Sequence, residues 1–466
     1  MQGEWEGETA IGLLGRIADG AVSATDAVTA ALARLETVEP RLNAFASVRA
    51  DDALRAAMAA DARRLSGEPL PPLHGLPISV KDLVAVGGMP FTFGSRSMAD
   101  NVAAADAAAV ERLRAAGAII LGKTTTSEYG CKAVGESPLS GSTRNPWNTT
   151  LTAGGSSAGA AASVAAGVTP LAVGTDGGGS IRIPAALCGV FGVKAQFGRV
   201  PVYPMAATPT LAHVCPIGRS VRDVALLLRV LAGYDDRDPA SVPQPVPDFA
   251  AACGRDPRTL RYAWSPTYGY APVAPDVRAV AEGAARSFAD AGCRVDEIDA
   301  PFGDDSAELW TAEFYAGIGA RLGPVLRADP TLLDPDVAAI VERALLLPLE
   351  AYQRAVVGRY AFRERVRRFF TQYDVLLSPT LPVAGVAAGL AIPPGLEGRN
   401  LVTWVCYTYP FNLTGQPAAS IPAGFTAAGL PVGLQAVARP YREADLFTVA
   451  AALEAARPWA TARPSL

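Results

Sequence analysis

Hydrophobic and polar positions follow two patterns along this chain, one typical of amphipathic helices and one typical of short buried strands. Short segments that look like strands, most of them apolar, occupy residues 76–80, 118–121, 171–173, 294–298 and 375–377. Several of them follow alanine-rich segments with helical periodicity, such as 104–116 and 276–291. Helices that alternate with strands in this way predict an α/β fold built in layers.

Two further helices are marked by the residues that begin them. Ser23 and Asp26 have the spacing of a capping box before a helix that runs toward Leu35, and Ser220 and Asp223 repeat this spacing before VALLLRVLAG. Residues 235–257 are rich in Asp and Pro, which predicts a loop. No repeat of fixed period is visible, and we expect one domain over residues 1–466.

The stretch 158–174 carries so little charge that it could be mistaken for a membrane span. It consists mainly of Ala and Gly and contains Pro170, so it has little bulky apolar surface to hold it in lipid. We predict a buried helix followed by a strand. Residues 1–20 are acidic and lack the basic and apolar parts of a secretion signal, so we expect a cytoplasmic protein.

The composition of the chain favours a small molecule over nucleic acid or a membrane as its binding partner. The chain has 466 residues, of which 50% are hydrophobic and 18% charged, enough to bury a large core. Its net charge of −4 gives no electrostatic reason to expect nucleic acid or an anionic membrane as a partner, so a small molecule fits better. The 6 cysteines show no CxxC spacing, which argues against a disulfide framework and a zinc site.

Two serines on separate glycine-rich turns, Ser156 and Ser180, are the first candidates for catalysis. A serine nucleophile needs a base to take its proton, and the chain has only 2 histidines. Lys81 is the natural substitute, because its apolar setting, LPISV, favours the neutral amine that a base must be. The hydroxyl of Ser156 can donate and accept a proton, so it can relay one between Ser180 and Lys81.

The glycines before Ser180 suggest how negative charge on a reacting carbonyl oxygen would be stabilised. Residues without side chains let the backbone turn tightly, so that successive N–H groups can point at one spot. IRIPAALCG also predicts that a helix begins just after Ser180, which adds partial positive charge there. We therefore predict an oxyanion hole. Its backbone donors are the N–H groups of Gly177, Gly178, Gly179 and Ser180.

Two other patterns point to different chemistry. Residues 117–124, GAIILGKT, fit the phosphate-binding pattern GxxxxGK[ST], but their four variable positions are apolar and belong in a buried strand. Residues 155–159, GSSAG, fit the GxSxG elbow of α/β-hydrolases, which needs a downstream histidine, and only His213 is available. We disfavour both nucleotide binding and a Ser-His-Asp triad.

An ordered series of sequence blocks resembles the amidase signature family, whose members cleave amides with a Ser-Ser-Lys triad. The blocks include HGLPISVKD at 74–82, GGSSAG at 154–159, GTDGGGSIRIPA at 174–185, CGVFGVK at 188–194 and YTYPFNLTGQPAASIPAGF near the C-terminus. The resemblance implies that Ser180 is the nucleophile, Ser156 the bridging serine and Lys81 the general base. It implies no cofactor. We expect Asp176 and Arg182 to brace the glycine loop through hydrogen bonds rather than to touch the bond being cut.

The resemblance also implies a single α/β/α unit with a mixed sheet. Its signature core would span about 70–235, and a more divergent region at about 300–400 would shape the substrate pocket. Aromatic side chains in the divergent half could line an apolar pocket, although such residues are more often core. They are Trp310, Phe314, Tyr315, Trp404, Tyr407 and Tyr409.

The biological setting leaves two alternatives. The family includes free-standing amidases as well as the glutaminase subunit of a tRNA-dependent amidotransferase, which supplies ammonia to a partner. We favour an amidase that acts on a small-molecule amide, because YPFNLTGQPAASIPAGF resembles the general amidases. The choice among aliphatic, aryl, urea-like and amino-acid amides stays open, as does assembly into a homo-oligomer.

Overall fold

A mixed sheet of eleven strands forms the centre of the computed structural model, which describes residues 8–466. In chain order the strands are β1 (Phe45–Val48), β2 (Pro77–Lys81), β3 (Ile119–Thr124), β4 (Glu136–Ser137), β5 (Gly141–Ser142), β6 (Arg144–Asn145), β7 (Asn148–Thr152), β8 (Leu171–Asp176), β9 (Phe191–Lys194), β10 (His213–Gly218), β11 (Arg261–Trp264), β12 (Arg294–Glu297), β13 (Val375–Pro379), β14 (Ala418–Phe425) and β15 (Pro431–Ala438). The strand order in the central sheet is β1-β3-β2-β8-β10-β9-β14-β15-β13-β11-β12. The strands β4 to β7 form two small separate pairs.

Helices connect these strands. They are α1 (Ala10–Asp19), α2 (Ala24–Leu42), α3 (Ala50–Leu65), α4 (Ala108–Ala115), α5 (Ala158–Ala165), α6 (Arg182–Cys188), α7 (Val221–Leu231), α8 (Phe249–Ala252), α9 (Pro275–Asp290), α10 (Ala307–Ala328), α11 (Pro335–Leu345), α12 (Leu349–Gln372), α13 (Pro410–Thr414) and α14 (Glu443–Ala456).

Helices cover both faces of the central sheet, because successive side chains of a strand point to opposite faces. In β8, Val173 belongs to the core cluster that includes side chains of α7, α9 and α14. Its neighbour Ala172 belongs to a different cluster, built largely by α5. Further along the sheet, Val437 of β15 packs with side chains of α10 and α12. The predicted layered α/β fold is confirmed.

The elements predicted from hydrophobic patterning lie where they were expected, with different ends. All five predicted strands are present as β2, β3, β8, β12 and β13. The helix expected to run from Ser23 toward Leu35 continues to Leu42, and the one expected over 104–116 begins only at Ala108. The predicted loop at 235–257 contains the short helix α8. Pattern reading therefore located the elements better than it located their ends.

The second predicted capping box is half right. The Ser220 side chain accepts a hydrogen bond from the Asp223 N–H at 3.2 Å, as a cap should. The reciprocal bond of a capping box, from the Ser220 N–H to the Asp223 carboxylate, is not formed. The carboxylate accepts instead from the N–H groups of Ala10 and Ile11, at 2.9 and 3.0 Å, in the first turn of α1. Because the first turn of a helix has unsatisfied N–H groups, a carboxylate distant in sequence stabilises it equally well.

The apolar stretch at 158–174 is α5 followed by the start of β8, and α5 is buried along its whole length. Across residues 8–466 we find no helix with the length and apolarity needed to cross a membrane.

Two parallel strands bring candidate residues to one edge of the sheet. β2 and β8 are hydrogen-bonded neighbours, with Val80 opposite Val173. Lys81, the last residue of β2, therefore lies beside the carboxyl end of β8, where Thr175 and Asp176 are found. The carboxyl ends of parallel strands are where α/β folds bind ligands.

At Gly159, α5 packs directly against backbone near this edge of the sheet. A Cβ atom at Gly159 would collide with the carbonyl oxygen of Ala44 and lie 2.7 Å from the Thr125 amide nitrogen, and backbone atoms cannot move aside easily. We expect Gly159→Ala to lower the free energy of unfolding by about 1–3 kcal/mol or more, because overpacking a close contact forces the backbone to shift.

The control is Gly15→Ala, in α1, where a Cβ atom would meet nothing within 4 Å. This change should leave stability unchanged or raise it slightly, because alanine favours helix. Urea unfolding of both variants is the measurement. Equal midpoints for the two variants would contradict the predicted close packing of α5.

Candidate active site

Lys81 is the buried centre of the site. Its side chain is fully buried at the end of β2. The Nζ atom lies 2.7 Å from Ser156 Oγ, 2.8 Å from Thr175 Oγ1 and 2.9 Å from Ser157 Oγ. All three partners are hydroxyls, and no carboxylate is among them.

This environment favours the neutral amine. Burial lowers the pKa of Lys81 well below its ordinary value, and the more distant Asp176 carboxylate opposes that shift only in part. A neutral amine donates two hydrogen bonds and accepts one through its lone pair. One of the three hydroxyls can therefore give its own proton toward the nitrogen.

The hydrogen bonds around Ser157 restrict which hydroxyl that is. Ser157 Oγ donates to the carbonyl oxygen of Thr175 at 3.0 Å, and it accepts from the Thr175 N–H at 3.2 Å. Its single hydroxyl proton is thus already used, so Ser157 can only accept from Lys81. Ser156 and Thr175 are the two hydroxyls that can donate to the neutral amine.

The two serine-bearing turns are joined directly. Ser156 and Ser157 precede α5, and Ser180 lies between β8 and α6. The Ser157 N–H donates to the Ser180 carbonyl oxygen at 3.2 Å. Ser156 is buried, whereas Ser180 is partly exposed to the adjoining cavity. The sequence candidates Lys81, Ser156 and Ser180 therefore lie together at one edge of the sheet.

A buried ion pair fixes the glycine loop. Arg182 Nη2 lies 2.9 Å from Asp176 Oδ1, and neither side chain is exposed. The Asp176 carboxylate also accepts from the N–H groups of Gly179, at 2.8 Å, and Ile181, at 3.2 Å. Burial alone would raise the pKa of Asp176, but the Arg182 guanidinium outweighs it and holds this pKa well below its usual range.

Arg182 also ties the loop to the C-terminal part of the chain. Its Nη2 donates to Asn412 Oδ1 at 2.7 Å, and its Nη1 donates to Gln435 Oε1 at 2.9 Å and to the Thr408 carbonyl at 2.8 Å. Asn412 and Gln435 were not predicted from the sequence. Asn412 lies in the C-terminal block YTYPFNLTGQPAASIPAGF, but nothing in the linear sequence pairs either residue with Arg182.

These contacts leave a particular set of backbone donors available. The Gly179 N–H, one of the four predicted oxyanion donors, is already engaged by Asp176. Within residues 8–466, the N–H groups of Gly177, Gly178 and Ser180 have no protein acceptor. These same three residues line the adjoining cavity, and Gly179 does not.

The cavity next to Ser180 is small and mostly apolar. Its volume is about 230 Å³. Its aromatic lining comprises Phe91, Phe93, Tyr129, Tyr203, Trp310 and Phe314. Of the six aromatic residues named from the sequence, two line it, and the other four lie outside this lining. A cavity of this size and character suits a small, largely apolar molecule.

The sequence profile of the amidase family matches residues 26–447. This chain belongs to the amidase signature family. The acylamidase of Rhodococcus erythropolis is 39% identical over 455 residues, which cover 96% of this chain and 95% of that protein. One subunit of the glutamyl-tRNA(Gln) amidotransferase of Chloroflexus aggregans (strain MD-66 / DSM 9485) is 36% identical over 476 residues, covering 97% of this chain and 96% of that protein.

Solved structures agree with this assignment. A bacterial aryl acylamidase of the amidase signature family superposes with a TM-score of 0.92 at 30% identity, over 97% of each chain. The protein is therefore an amidase, an enzyme that acts on amide C–N bonds.

The two competing sequence patterns have other roles in this amidase. Residues 119–124 of the phosphate-loop pattern form the buried strand β3, and Lys123 pairs with Asp82 at 2.9 Å. His213 lies in β10 with Nδ1 2.8 Å from the Leu211 carbonyl and 3.0 Å from the Asp176 carbonyl. Its Nε2 faces Lys194 Nζ at 3.4 Å. Both ring nitrogens are thus occupied by groups other than a serine hydroxyl.

The five hydrogen bonds of Arg182 predict that no other cation can replace it in this amidase. Lysine keeps the charge but lacks the planar fork, so Arg182→Lys leaves buried acceptors without donors. We expect a loss of stability on the order of 3 kcal/mol in urea unfolding.

Arg258→Lys is the matched control, because Arg258 pairs with Asp256 on the surface, where the two side chains are 63% and 42% exposed. That variant should unfold at the wild-type midpoint. If Arg182→Lys also unfolds at the wild-type midpoint, the hydrogen bonds of the guanidinium do not contribute to stability as predicted.

Proposed function

We propose that this amidase is a free-standing hydrolase of small carboxylic amides that works through Ser180 as nucleophile, Ser156 as proton relay and Lys81 as general base. The observation that carries the proposal is the contact of the buried, carboxylate-free Lys81 amine with Ser156 at 2.7 Å. A neutral amine in that position can accept a proton that a serine hydroxyl relays.

In the first half of the reaction, Ser180 Oγ attacks the carbonyl carbon of the amide. The Ser180 proton passes to Ser156 Oγ while the Ser156 proton passes to Lys81, which becomes an ammonium. The carbonyl oxygen gains negative charge and is held by the N–H groups of Gly177, Gly178 and Ser180. When the C–N bond breaks, the leaving nitrogen receives the proton that returns from Lys81 through Ser156, and Ser180 carries the acyl group as an ester.

The second half uses the same groups with water. Water attacks the ester carbonyl and gives its proton along the route Ser156 to Lys81. The tetrahedral intermediate then collapses, the carboxylic acid leaves, and the proton returns to Ser180 Oγ. Every proton taken up by Lys81 is returned within the cycle, and the steps use only groups of the chain, the amide and water.

The cavity supports an apolar substrate over free glutamine. Glutamine carries an ammonium and a carboxylate besides its side-chain amide, and each needs a partner when it leaves water. Among the charged side chains that line the cavity, Asp176 and Lys132 already form ion pairs with Arg182 and Asp334. Arg321, over the Phe93 ring at 5.7 Å, is exposed and could meet a carboxylate, but the one carboxylate of the lining, Asp176, is already paired and leaves none for an ammonium. The acylamidase relative supports hydrolysis of amides, and the amidotransferase relative keeps the glutaminase as the alternative.

Release of ammonia or amine by the purified chain tests the proposal. The panel contains glutamine, aliphatic amides, aryl amides and urea-like compounds. We expect turnover of an apolar amide by the chain alone, and a fall on the order of 10³-fold or more in Ser180→Ala, because the nucleophile is lost.

A control variant and a labelling experiment accompany this assay. Ser287→Ala, on α9, removes a serine hydroxyl far along the chain and should keep full activity. A fluorophosphonate label should map to Ser180 and not to Ser157. Turnover of glutamine only, or no turnover without a partner subunit, would favour the glutaminase instead.

A further inference from the structure

The carbonyl groups of the glycine loop are all held by hydrogen-bond donors. Four consecutive peptide groups, from the Asp176 carbonyl onward, are fixed in this way. The donors are His213 Nδ1 to the Asp176 oxygen at 3.0 Å, Trp310 Nε1 to the Gly177 oxygen at 2.9 Å, Thr408 Oγ1 to the Gly178 oxygen at 2.6 Å and the Ile183 N–H to the Gly179 oxygen at 2.7 Å.

Each of these bonds also sets the direction of an N–H group. In a planar trans peptide the C=O of one residue and the N–H of the next point in opposite directions. The Trp310 indole holds the Gly177 oxygen and therefore directs the Gly178 N–H away from itself. That N–H has no protein acceptor within residues 8–466, and Gly178 lines the cavity.

The neighbouring peptide group shows the contrast. Thr408 holds the Gly178 oxygen, and the N–H at the other end of that peptide group, from Gly179, already donates to Asp176 at 2.8 Å. Both ends of this group are therefore fixed within the protein. The group that Trp310 holds is fixed at one end only, and its other end is free to meet a substrate.

The indole ring itself touches the loop. A Cβ atom at residue 178 would lie 2.6 Å from Trp310 Cζ2, so the ring and the Gly178 backbone are in direct contact. Trp310 is only 2% exposed and stacks on Phe314, with ring centroids 4.6 Å apart and 16° between the planes. Both side chains project from α10, in the region that the sequence analysis assigned to substrate binding.

We propose that Trp310 is a positioning residue that aims the Gly178 N–H at the oxyanion, so that the substrate-binding wall and the oxyanion hole share one side chain. The inference rests on the proposed function, because it needs a tetrahedral intermediate on Ser180. It goes beyond that function by assigning a role in the chemical step to a residue of α10. A side chain that lines the cavity can also contact substrate, so the two roles must be separated by experiment.

Trp310→Phe keeps an aromatic ring and removes the indole N–H. The amide identified by the panel is used to measure kcat and KM. We expect kcat to fall about 10- to 100-fold, because removal of one oxyanion donor costs up to about 10³-fold and a misdirected donor costs less. KM should stay within about twofold, since the interaction strengthens only in the transition state.

Trp404→Phe is the matched control. Trp404 is fully buried, and its Nε1 atom has no hydrogen-bond partner, so this variant removes an indole N–H that fixes nothing. It should lower stability at most, and leave kcat unchanged. An equal fall in kcat for both variants would assign the effect to packing and overturn the proposal.

An inhibitor pair provides a second readout. The aldehyde with the same acyl group as the substrate reacts reversibly with Ser180 Oγ to form a hemiacetal, whose oxygen lies in the oxyanion hole. The corresponding alcohol cannot form this adduct. Trp310→Phe should weaken the aldehyde by the same factor as kcat and leave the alcohol unchanged. If instead KM and both inhibitors change together while kcat is constant, Trp310 is a substrate contact only.

A folding failure of Trp310→Phe and a failure of the proposed function can both be told apart from a failure of this proposal. If Trp310→Phe does not fold, 3-benzothienyl-alanine at position 310 retains the bicyclic ring and replaces the N–H with sulfur, and the same fall in kcat is expected. Failure of the proposed function itself would show separately, because wild-type protein would then bind the aldehyde no better than the alcohol and Ser180→Ala would remain active.

Discussion

Burial of the Lys81 amine without a carboxylate partner is the constraint on which this site depends. A buried ammonium is costly unless an anion compensates it. The other three lysines are also buried, and two of them have that compensation, Lys123 from Asp82 and Lys132 from Asp334. Lys194 has backbone carbonyls as acceptors, and burial lowers its pKa to about 7. Lys81 has three hydroxyls instead, so the protein stabilises the uncharged amine. The parallel pairing of β2 with β8 makes this possible, because it brings the amine to the sheet edge where the serine turns meet.

Arg182, buried at the same edge of the sheet, has the carboxylate partner that Lys81 lacks. A guanidinium cannot lose its proton in a protein, so it requires an anion, and Asp176 supplies it. The pair then uses its remaining hydrogen bonds to fix the backbone of the glycine loop, including the N–H of Gly179. Lys81, which can be neutral, and Arg182, which is always charged, thus lie at the same edge of the sheet. Only the lysine can act as a base, and only the arginine keeps the charge that holds Asp176.

Much of this arrangement could be predicted from the sequence, because its signals are local. The strands that end at Lys81 and Asp176 are apolar runs, and glycine-rich turns announce Ser156 and Ser180. What the sequence did not predict depends on contacts between distant segments. Nothing near Thr175 indicates that its hydroxyl meets a lysine 94 positions away, and the spacing of aromatic residues does not show that one of them donates to the glycine loop. The Asp223 carboxylate was assigned to its own helix for the same reason, although it caps another.

A direct titration of Lys81 tests the account most sharply. The chain contains four lysines, so protein labelled with [6-13C]lysine gives four Cε resonances, which Lys→Met variants assign. Lys81 should titrate well below the ordinary lysine value of about 10.4, whereas Lys132 should titrate last, because Asp334 and Asp336 outweigh burial and raise its pKa. Since the base is active only when neutral, activity should fall as the pH drops through the Lys81 midpoint. A Lys81 resonance that stays protonated up to the ordinary lysine range, together with full activity at neutral pH, would contradict its role as the base.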